Sequence, residues 1–291
     1  MTLKEKINIL LELTKIRITS FVTLTTVFGF IVASNSINEK IILPTLGVLF
    51  LACGAAVINH VQEKETDALM ERTKNRPLPS GKVKPITAFF IAIVLLILGS
   101  ILLSLSAGLV ALGLGLLNLI WYNVIYTPLK KKTAFAIIPG SLVGAIPPAI
   151  GWIAGGGSLS DPRIAFVSFF FFIWQIPHFW LLLFMFGKDY ENAGFPSLTK
   201  IFNLDQLGRI TFIWILTTII ICLFLPIFGL VKSSYISIAL LLTGFWLTWD
   251  AFKLLKPNFE TKQFKFAFYN INTFIILVVF LVSIDNLFVL Y

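Results

Sequence analysis

Apolar segments long enough to cross a bilayer follow one another along most of the chain, separated by short polar segments. A membrane-spanning helix needs about 20 predominantly apolar residues. Nine ranges meet this requirement: 18–35, 42–61, 86–106, 107–127, 134–155, 164–186, 210–230, 234–252 and 266–284. Only the small residues at 104–108 separate the third range from the fourth. The pattern predicts an all-α integral membrane protein, a single polytopic domain over residues 1–291 with nine transmembrane helices.

The first 17 residues differ from these spans because charged and apolar positions are interleaved. Leu3, Ile7 and Leu10 recur at the spacing of one helix face, while Glu5 and Glu12 lie among lysines. The segment does not resemble a cleavable signal or an arginine-rich transit peptide. We therefore predict that residues 1–17 form an amphipathic helix lying on the cytoplasmic membrane surface.

The composition supports a membrane protein. Hydrophobic residues make up 57% of the chain and charged residues only 13%, and phenylalanine alone occurs 29 times. These proportions exclude an ordinary soluble domain. Both cysteines, Cys53 and Cys222, fall inside predicted spans, so neither a disulfide framework nor a zinc site is expected and both are predicted to pack.

The basic residues predict the orientation of the chain. Cytoplasmic loops of membrane proteins collect Lys and Arg. With nine spans and a cytoplasmic N-terminus, only Lys40, Arg163 and Lys232 of the 23 Lys and Arg residues fall outside the cytoplasmic segments. The C-terminus is then expected on the opposite side. The net charge of +9 fits a cytoplasmic membrane surface, and we exclude nucleic-acid binding.

The strongest candidate for chemistry is a polar run at the end of the second span. Asn59, Glu63 and Asp67 are four residues apart, so they stack along one face of a helix. Oxygen ligands of this kind suit Mg²⁺. Arg72 and Arg76 follow, and guanidinium groups there can bind a phosphate that the metal also contacts. The run predicts a Mg²⁺-dependent, membrane-embedded enzyme that uses a diphosphate substrate.

Two further polar segments are expected at the same end of the bundle. The long cytoplasmic loops follow the second and sixth spans, which suggests a parallel internal repeat. Asp189, at the start of the second loop, is expected to face the acidic helix face across a central cavity and to join the metal site. Lys130 and Lys131 are expected to reach the phosphate groups, although a basic cluster there also fits a topological anchor.

Polar groups within apolar spans mark a second candidate region. Trp174, Gln175 and His178 interrupt the sixth span, and Asn123 and Tyr126 lie near the end of the fourth. Polar groups at membrane depth are costly unless they face a cavity or a partner. The prolines and glycines of 139–151 permit kinks and close backbone approach, which would make room for a bulky ligand.

The histidines and one aspartate also have structural interpretations. His178 is equally compatible with a buried histidine that hydrogen-bonds a backbone carbonyl, and His60 with an interfacial residue. Asp250 is predicted to pair with Lys253 one turn away and is left out of the site.

With these motifs, the chain resembles the UbiA superfamily of intramembrane prenyltransferases along nearly its whole length. Within it, the chain is most similar to the branch that farnesylates protohaem IX. The motifs that carry the resemblance are NHVQEKETD from Asn59, MERTKNRPLPSG from Met70, YTPLKKKT from Tyr126, GAIPPAIGW from Gly144, WQIPHF from Trp174 and DYENAGFP from Asp189. The sequence departs from the superfamily pattern at Glu63, where an Asp is usual, and at Ala193, where a second Asp of the later motif is usual. The second departure leaves a second metal ion open and is typical of the haem branch.

The resemblance implies a nine-helix prenyltransferase fold and transfer of a farnesyl group from farnesyl diphosphate to a vinyl group of haem B, with addition of water, giving haem O. It implies Mg²⁺ held by Asn59, Glu63, Asp67 and Asp189, and a diphosphate bound by Arg72, Arg76, Lys130 and Lys131. The acceptor pocket would comprise His178, Trp174, Gln175, Tyr126, Asn123 and His60. The expected surroundings are a bacterial inner membrane, and the expected partner is a downstream haem-modifying enzyme or oxidase assembly factor.

Two alternatives stay open at this point. The same diphosphate chemistry serves an aromatic quinone-precursor acceptor, although the WQIPHF motif and the reduced second motif favour haem. A transporter also has many spans and buried polar residues, but its site tends to lie near the bilayer midplane, whereas the charged residues here lie at the helix ends. Diphosphate release separates the enzymes from a transporter.

Overall fold

The computed structural model describes residues 2–256 and 262–288, and within these ranges the chain is helical with no β-strand. The α-helices are α1 Leu3–Leu13, α2 Ile16–Ser34, α3 Ile42–Gln62, α4 Lys64–Ala68, α5 Pro85–Ile120, α6 Thr127–Leu129, α7 Ile137–Gly140, α8 Leu142–Ala154, α9 Pro162–Asn192, α10 Leu204–Leu223, α11 Ser234–Ala251 and α12 Lys262–Phe288. Short 3₁₀ turns occur at Glu39–Ile41, Ala134–Ala136, Leu198–Lys200 and Phe252–Leu255, and a π-helix occurs at Trp121–Tyr126.

Eight stretches of the described chain are long and apolar enough to span a membrane, one fewer than the nine predicted. The difference lies in Pro85–Leu129, which is continuous over 45 residues. A straight helix of that length would measure about 68 Å, more than twice the ~30 Å hydrocarbon core. It is not straight, because Gly108 has φ 81° and ψ 180°, a conformation that favours glycine.

The chain folds back at Gly108, at the small-residue run predicted as a break. A methyl group at Gly115 would lie 3.1 Å from Leu103 Cδ1, whereas these positions would be about 18 Å apart along a straight helix. Both halves pack on α3, since a methyl group at Gly99 would lie 2.8 Å from the Gly47 carbonyl oxygen and one at Gly115 would lie 2.7 Å from Leu51 Cδ1. The segment therefore enters and leaves by the same end of the bundle. The total of nine spans and the cytoplasmic orientation stay predictions.

Segments predicted on the cytoplasmic side converge at one end of the bundle. Lys15 Nζ lies 2.6 Å from Asn59 Oδ1, and Lys130 Nζ lies 2.5 Å from Glu63 Oε1. A contact between two segments predicted outside joins Lys232 Nζ to Asn35 Oδ1 at 2.6 Å. These contacts agree with the grouping of segments that the charge pattern predicts, and the side of the membrane on which each group lies stays a prediction.

Glycines let α2 and α8 pack with their backbones in contact. A methyl group at Gly151 would lie 1.8 Å from the Thr26 carbonyl oxygen, and one at Gly29 would lie 2.0 Å from the Pro148 carbonyl oxygen. Small residues at helix interfaces are the usual means of such close approach in membranes. The helix is interrupted at Ser141, between α7 and α8, within the Pro- and Gly-containing segment that permits kinks.

We expect Gly151→Ala to lower the free energy of unfolding by about 3 kcal/mol, because the added methyl forces α2 and α8 apart. The thermal unfolding midpoint of the detergent-solubilised protein measures the effect. Gly113→Ala is the matched control: it lies in α5 with no heavy atom within 4 Å of the added methyl, so its midpoint should stay level or rise slightly. Equal midpoints for the two variants would contradict the close packing of α2 on α8.

Candidate active site

Asn59, Glu63 and Asp67 line one buried face, as their spacing predicts. The backbone N–H of Glu63 donates to the Asn59 carbonyl at 3.0 Å, and that of Asp67 donates to the Glu63 carbonyl at 2.7 Å. Helical hydrogen bonding therefore continues across the junction between α3 and α4. The three residues are only 1%, 5% and 1% exposed, whereas the intervening Lys64 and Glu65 are exposed. Burying two carboxylates is costly unless cations or hydrogen bonds compensate for lost water.

Cations from three segments compensate for this burial. Lys130 pairs with Glu63 at 2.5 Å, and the Arg76 guanidinium donates to Asp67 Oδ2 at 2.8 Å. Lys15, at the start of α2, donates to Asn59 Oδ1. These oxygen and nitrogen groups form a buried charged cluster, named the charged pocket, whose chemistry suits an anion and a divalent cation together.

The Asn59 amide is held in one orientation. Its Nδ2 donates to the Thr127 hydroxyl at 3.1 Å, and that hydroxyl donates to the Tyr122 carbonyl at 2.9 Å. The amide oxygen therefore faces Lys15. Burial, together with the positive charges of Arg76 and Lys130, lowers the pKa of Lys15 from 10.5 to about 7. Its ammonium group is thus poised to lose its charge unless a negative ligand approaches.

Asp189 fastens the second polar loop to the first. Its two carboxylate oxygens accept from the backbone N–H groups of Glu71 at 3.3 Å and Arg72 at 3.1 Å. The Arg72 guanidinium lies over the Phe186 ring, 4.9 Å from its centroid. The structure therefore brings both loops together as the sequence predicts, with Asp189 bound to backbone rather than to Glu63 or Asp67.

We expect Asp189→Ala to release the segment around Glu71 and Arg72, because two backbone N–H groups lose a charged acceptor. The loss of about 1–2 kcal/mol should speed tryptic cleavage at Arg72 and Lys74 about tenfold. Glu191→Ala is the matched control, since Glu191 lies on the same helix but accepts from the Thr199 hydroxyl. Unchanged cleavage in Asp189→Ala would show that the carboxylate does not hold this loop.

Lys131 and Asn123 tie α3 to the end of the following hairpin. Lys131 Nζ lies 3.4 Å from the Gln62 carbonyl oxygen. Asn123 Nδ2 donates to the Ala55 carbonyl and to Gln62 Oε1, and Gln62 Nε2 donates to the Asn123 carbonyl. Lys131 is thus not paired with the buried carboxylates, whereas Lys130 is. Asn123 lies in the π-helix Trp121–Tyr126, a type of distortion that is frequent at functional sites.

The predicted acceptor residues lie among aromatic rings. Tyr126 occupies space that a methyl group on Gly140 would fill, and its ring centroid is 6.5 Å from that of Phe179. The Gln175 side chain likewise occupies the space that a methyl group on Gly144 would fill. Gln175 Oε1 and Trp174 Nε1 are buried without a hydrogen-bond partner among the described residues. Unpaired buried polar atoms cost about 1–3 kcal/mol each, which a bound ligand with matching groups would offset.

The histidines lie in different places. His60 is buried beside the metal-site candidates, with Nδ1 3.9 Å from Asp67 Oδ2. His178 Nδ1 lies 2.8 Å from Asn272 Oδ1, so its partner is a side chain and not the backbone carbonyl of the structural interpretation. Asp250 pairs with Lys253, as predicted, and also accepts from Asn270.

The oxygen atoms of the three candidate ligands are of the chemical type that Mg²⁺ prefers. No group of three or more His, Cys, Asp or Glu side chains within the described residues is arranged to hold a metal ion. The candidates are one amide and two carboxylate oxygens, hard ligands of the type Mg²⁺ takes with water and phosphate oxygens completing its shell. Lys130 and Arg76 contact those carboxylates in this structure, so the negative charge that a cation needs is present and buried.

Lys15, Thr127 and Asn272 are contacts that sequence reasoning missed. Lys15 lies 44 positions from Asn59, and no local pattern links the two. Its only sequence signal is a lysine at the junction between the N-terminal helix and the first span, which the charge pattern already explains.

Comparisons with known proteins agree on one family. A model of the UbiA prenyltransferase family matches residues 22–272. Protoheme IX farnesyltransferase of Oleidesulfovibrio alaskensis is 34% identical over 233 residues, covering 80% of this chain and 82% of that protein. The protein of the same name from Opitutus terrae is 33% identical over 285 residues, covering 96% and 94%.

Solved structures show the same fold. A digeranylgeranylglyceryl phosphate synthase superposes with a TM-score of 0.78 at 20% identity, covering 97% of this chain and 99% of that one. A UbiA homologue from Archaeoglobus fulgidus, bound to GPP and Mg²⁺, superposes with a TM-score of 0.69 at 15% identity, covering 94% and 99%.

Proposed function

The chain belongs to the UbiA prenyltransferase family, and on that basis we propose that it transfers a farnesyl group from farnesyl diphosphate to a vinyl group of haem B, with addition of water, giving haem O. The observation that carries the proposal is the buried row of Asn59, Glu63 and Asp67 with Lys15, Arg76 and Lys130 against it. The names of the similar proteins supply the acceptor. The family supplies the prenyl diphosphate chemistry.

The charged pocket would hold the diphosphate, with the isoprenoid tail among the Phe and Leu residues of the bundle. Asn59, Glu63 and Asp67 would hold Mg²⁺, with Asp189 beside them. When bound, the metal supplies positive charge against the diphosphate oxygens. Asp189 accepts hydrogen bonds from two backbone N–H groups, so it would have to give these up before it could bind Mg²⁺. Its proposed part in metal binding is therefore less direct than that of Asn59, Glu63 and Asp67.

Bond cleavage at the allylic carbon leaves the electron pair on the diphosphate oxygen. Lys130 and Arg76 would move from the carboxylates to that oxygen, where cations stabilise the leaving group most as its charge develops. Lys15 would gain a negative partner and keep its charge, with Arg72 and Lys131 at the rim of the pocket. These groups would act by position and charge, with no proton transfer required for ionisation.

The allylic cation then takes electrons from a haem vinyl group, which forms the new carbon–carbon bond. Water adds to the resulting cation and loses a proton, giving the hydroxyethylfarnesyl substituent. The Tyr126 ring, 5.5 Å from Lys130 Nζ, lies where a ring face can stabilise positive charge. The surrounding aromatic residues exclude water until the carbon–carbon bond has formed. Trp174, Gln175 and His178 would complete the acceptor pocket, with His60 and Asn123 on the side nearer the metal-site candidates.

The apolar helices make this a multi-pass membrane protein. We place it in the inner membrane of a bacterium, with the charged pocket on the cytoplasmic side. A haem-modifying enzyme or oxidase assembly factor would consume the product. Both substrates suit this position, because the isoprenoid tail and the porphyrin partition into lipid while the diphosphate stays at the surface.

The test incubates the purified, detergent-solubilised chain with haem B, farnesyl diphosphate and Mg²⁺, and mass spectrometry identifies the extracted haem. A haem O product that disappears with a chelator supports donor, acceptor and metal together. If haem stays unmodified but diphosphate is released and the prenyl group appears on an aromatic quinone precursor, that precursor would replace haem as the proposed acceptor. No diphosphate release with any acceptor would favour the transporter alternative.

A further inference from the structure

His178 has one ring nitrogen committed to a protein partner. Nδ1 lies 2.8 Å from the side-chain oxygen of Asn272, on α12. The described residues offer Nε2 no hydrogen-bond partner. The imidazole is half-buried and lies near the middle of α9, at the depth of the predicted sixth span.

The orientation of the Asn272 amide is determined by a second contact. Asn272 Nδ2 donates to the Phe268 carbonyl at 2.5 Å, and a carbonyl only accepts. The amide oxygen therefore faces His178, and because that oxygen also only accepts, Nδ1 of the imidazole must carry the proton. A neutral imidazole has one N–H, so Nε2 carries a free lone pair.

The surroundings of His178 suit a flat apolar ligand. The ring centroids of Trp174, Phe179 and Phe268 lie 5.0, 5.3 and 5.1 Å from the imidazole centroid. Trp174 Nε1, one helical turn away, is a buried donor with no acceptor among the described residues. A histidine imidazole is a common axial ligand of haem iron, and the neighbouring rings supply apolar surface of the kind that a porphyrin contacts.

We infer that Asn272 fixes His178 in the Nδ1–H form and thereby presents Nε2 as an axial ligand to the iron of the haem acceptor. The inference rests on the proposed function and selects iron ligation over a propionate contact. Asn272 is a positioning residue, since it acts only through His178. Partners of this kind orient a metal-binding histidine, and their removal weakens metal binding about 10- to 100-fold.

The position along α9 is compatible with the chemistry. His178 and Asp189 are separated by about 16 Å of helix, and a bend at Phe186 shortens that distance. An iron held at His178 therefore places the porphyrin within the bundle while its edge extends toward the charged pocket. Ligation would fix which edge of the porphyrin meets the allylic carbon.

The experiment titrates ferric haem B into the purified full-length protein without farnesyl diphosphate, read by absorption and electron paramagnetic resonance. The unmodified chain should give the spectrum of an imidazole-ligated haem. His178→Ala should lose that spectrum and recover it when free imidazole is added, which a general loss of folding would not allow. Asn272→Leu should weaken haem binding about 10- to 100-fold, and Asn272→Asp, which keeps an acceptor, should retain it.

Asn270→Leu is the matched control, because Asn270 is two residues away and donates to Asp250 instead. Its haem spectrum and affinity should match those of the unmodified chain. An imidazole spectrum that persists in His178→Ala, or equal haem affinity in Asn272→Leu and Asn270→Leu, would overturn the inference. Product analysis distinguishes failure of this inference from failure of the proposed function. An imidazole-type spectrum without haem O would support ligation by His178 and overturn the proposed function. Haem O formation, together with haem binding that is unchanged in His178→Ala, would support the function and overturn ligation.

Discussion

Asp67→Asn is expected to lower the rate of farnesyl transfer about a thousandfold, which corresponds to about 4 kcal/mol of lost transition-state stabilisation. The substitution keeps the shape of the side chain and one oxygen, but it removes the negative charge. Asp67 is almost completely buried, so solvent does not compensate for the lost charge near the metal. The loss should appear mainly in kcat at saturating farnesyl diphosphate, measured with haem O as the product.

Glu71→Gln is the matched control for Asp67→Asn. Glu71 lies four residues further along the same loop, but its side chain is 77% exposed and pairs with Lys74. Its removal should change the rate less than twofold, because exposed ion pairs contribute about 0–1 kcal/mol. Both variants should keep the unfolding midpoint within a few degrees. Comparable rates for the two variants would remove Asp67 from the metal site.

Much of the fold follows from elementary rules applied to the sequence. Apolar length located the spans, and the distribution of Lys and Arg predicted which loops share an end of the bundle. The contact between Lys130 and Glu63 is possible only because their two loops lie at the same end of the bundle. The position of the break at Gly108 was predictable because small residues interrupt a run otherwise too long for one crossing. Helix ends were less predictable, as α10 begins at Leu204 rather than near 210.

The site was predictable where its residues obey a local period. Asn59, Glu63 and Asp67 form a row because hydrogen bonding repeats every four residues, and that depends only on neighbours in sequence. Lys15 and Asn272 were not predictable, because each contacts the site through a packing arrangement between distant helices. The π-helix at Trp121–Tyr126 also carries no local signal, since it adds one residue to a turn without changing the apolar composition.

The ion pairs of Glu63 and Asp67 bear on how the charged pocket would exchange partners during the reaction. Two buried carboxylates without cations would repel each other and would be strongly destabilising. Lys130 and Arg76 neutralise the two carboxylates, and the same two groups are needed on the diphosphate in the proposed reaction. Metal and lysine therefore compete for Glu63. Because of this competition, removal of Lys130 should strengthen metal binding but slow turnover.

We expect Lys130→Met to lower the Mg²⁺ concentration for half-maximal activity about fivefold while lowering kcat about a hundredfold. Tighter metal binding follows because Glu63 loses a competing partner, and a fivefold change in affinity corresponds to about 1 kcal/mol. Slower turnover follows because one donor to the leaving diphosphate is lost, and such donors contribute about 10²- to 10³-fold. Mg²⁺ titrations of the initial rate measure both quantities on one preparation.

Lys132→Met provides the control for Lys130→Met, because Lys132 belongs to the same basic cluster but is exposed. If the cluster acts only as a topological anchor, the two variants should behave alike and neither should alter the Mg²⁺ dependence. If Lys130 is merely a structural partner of Glu63, its removal should destabilise the bundle and weaken Mg²⁺ binding together. Opposite changes in metal affinity and kcat, confined to Lys130→Met, are expected only when one ammonium group exchanges between carboxylate and diphosphate during turnover.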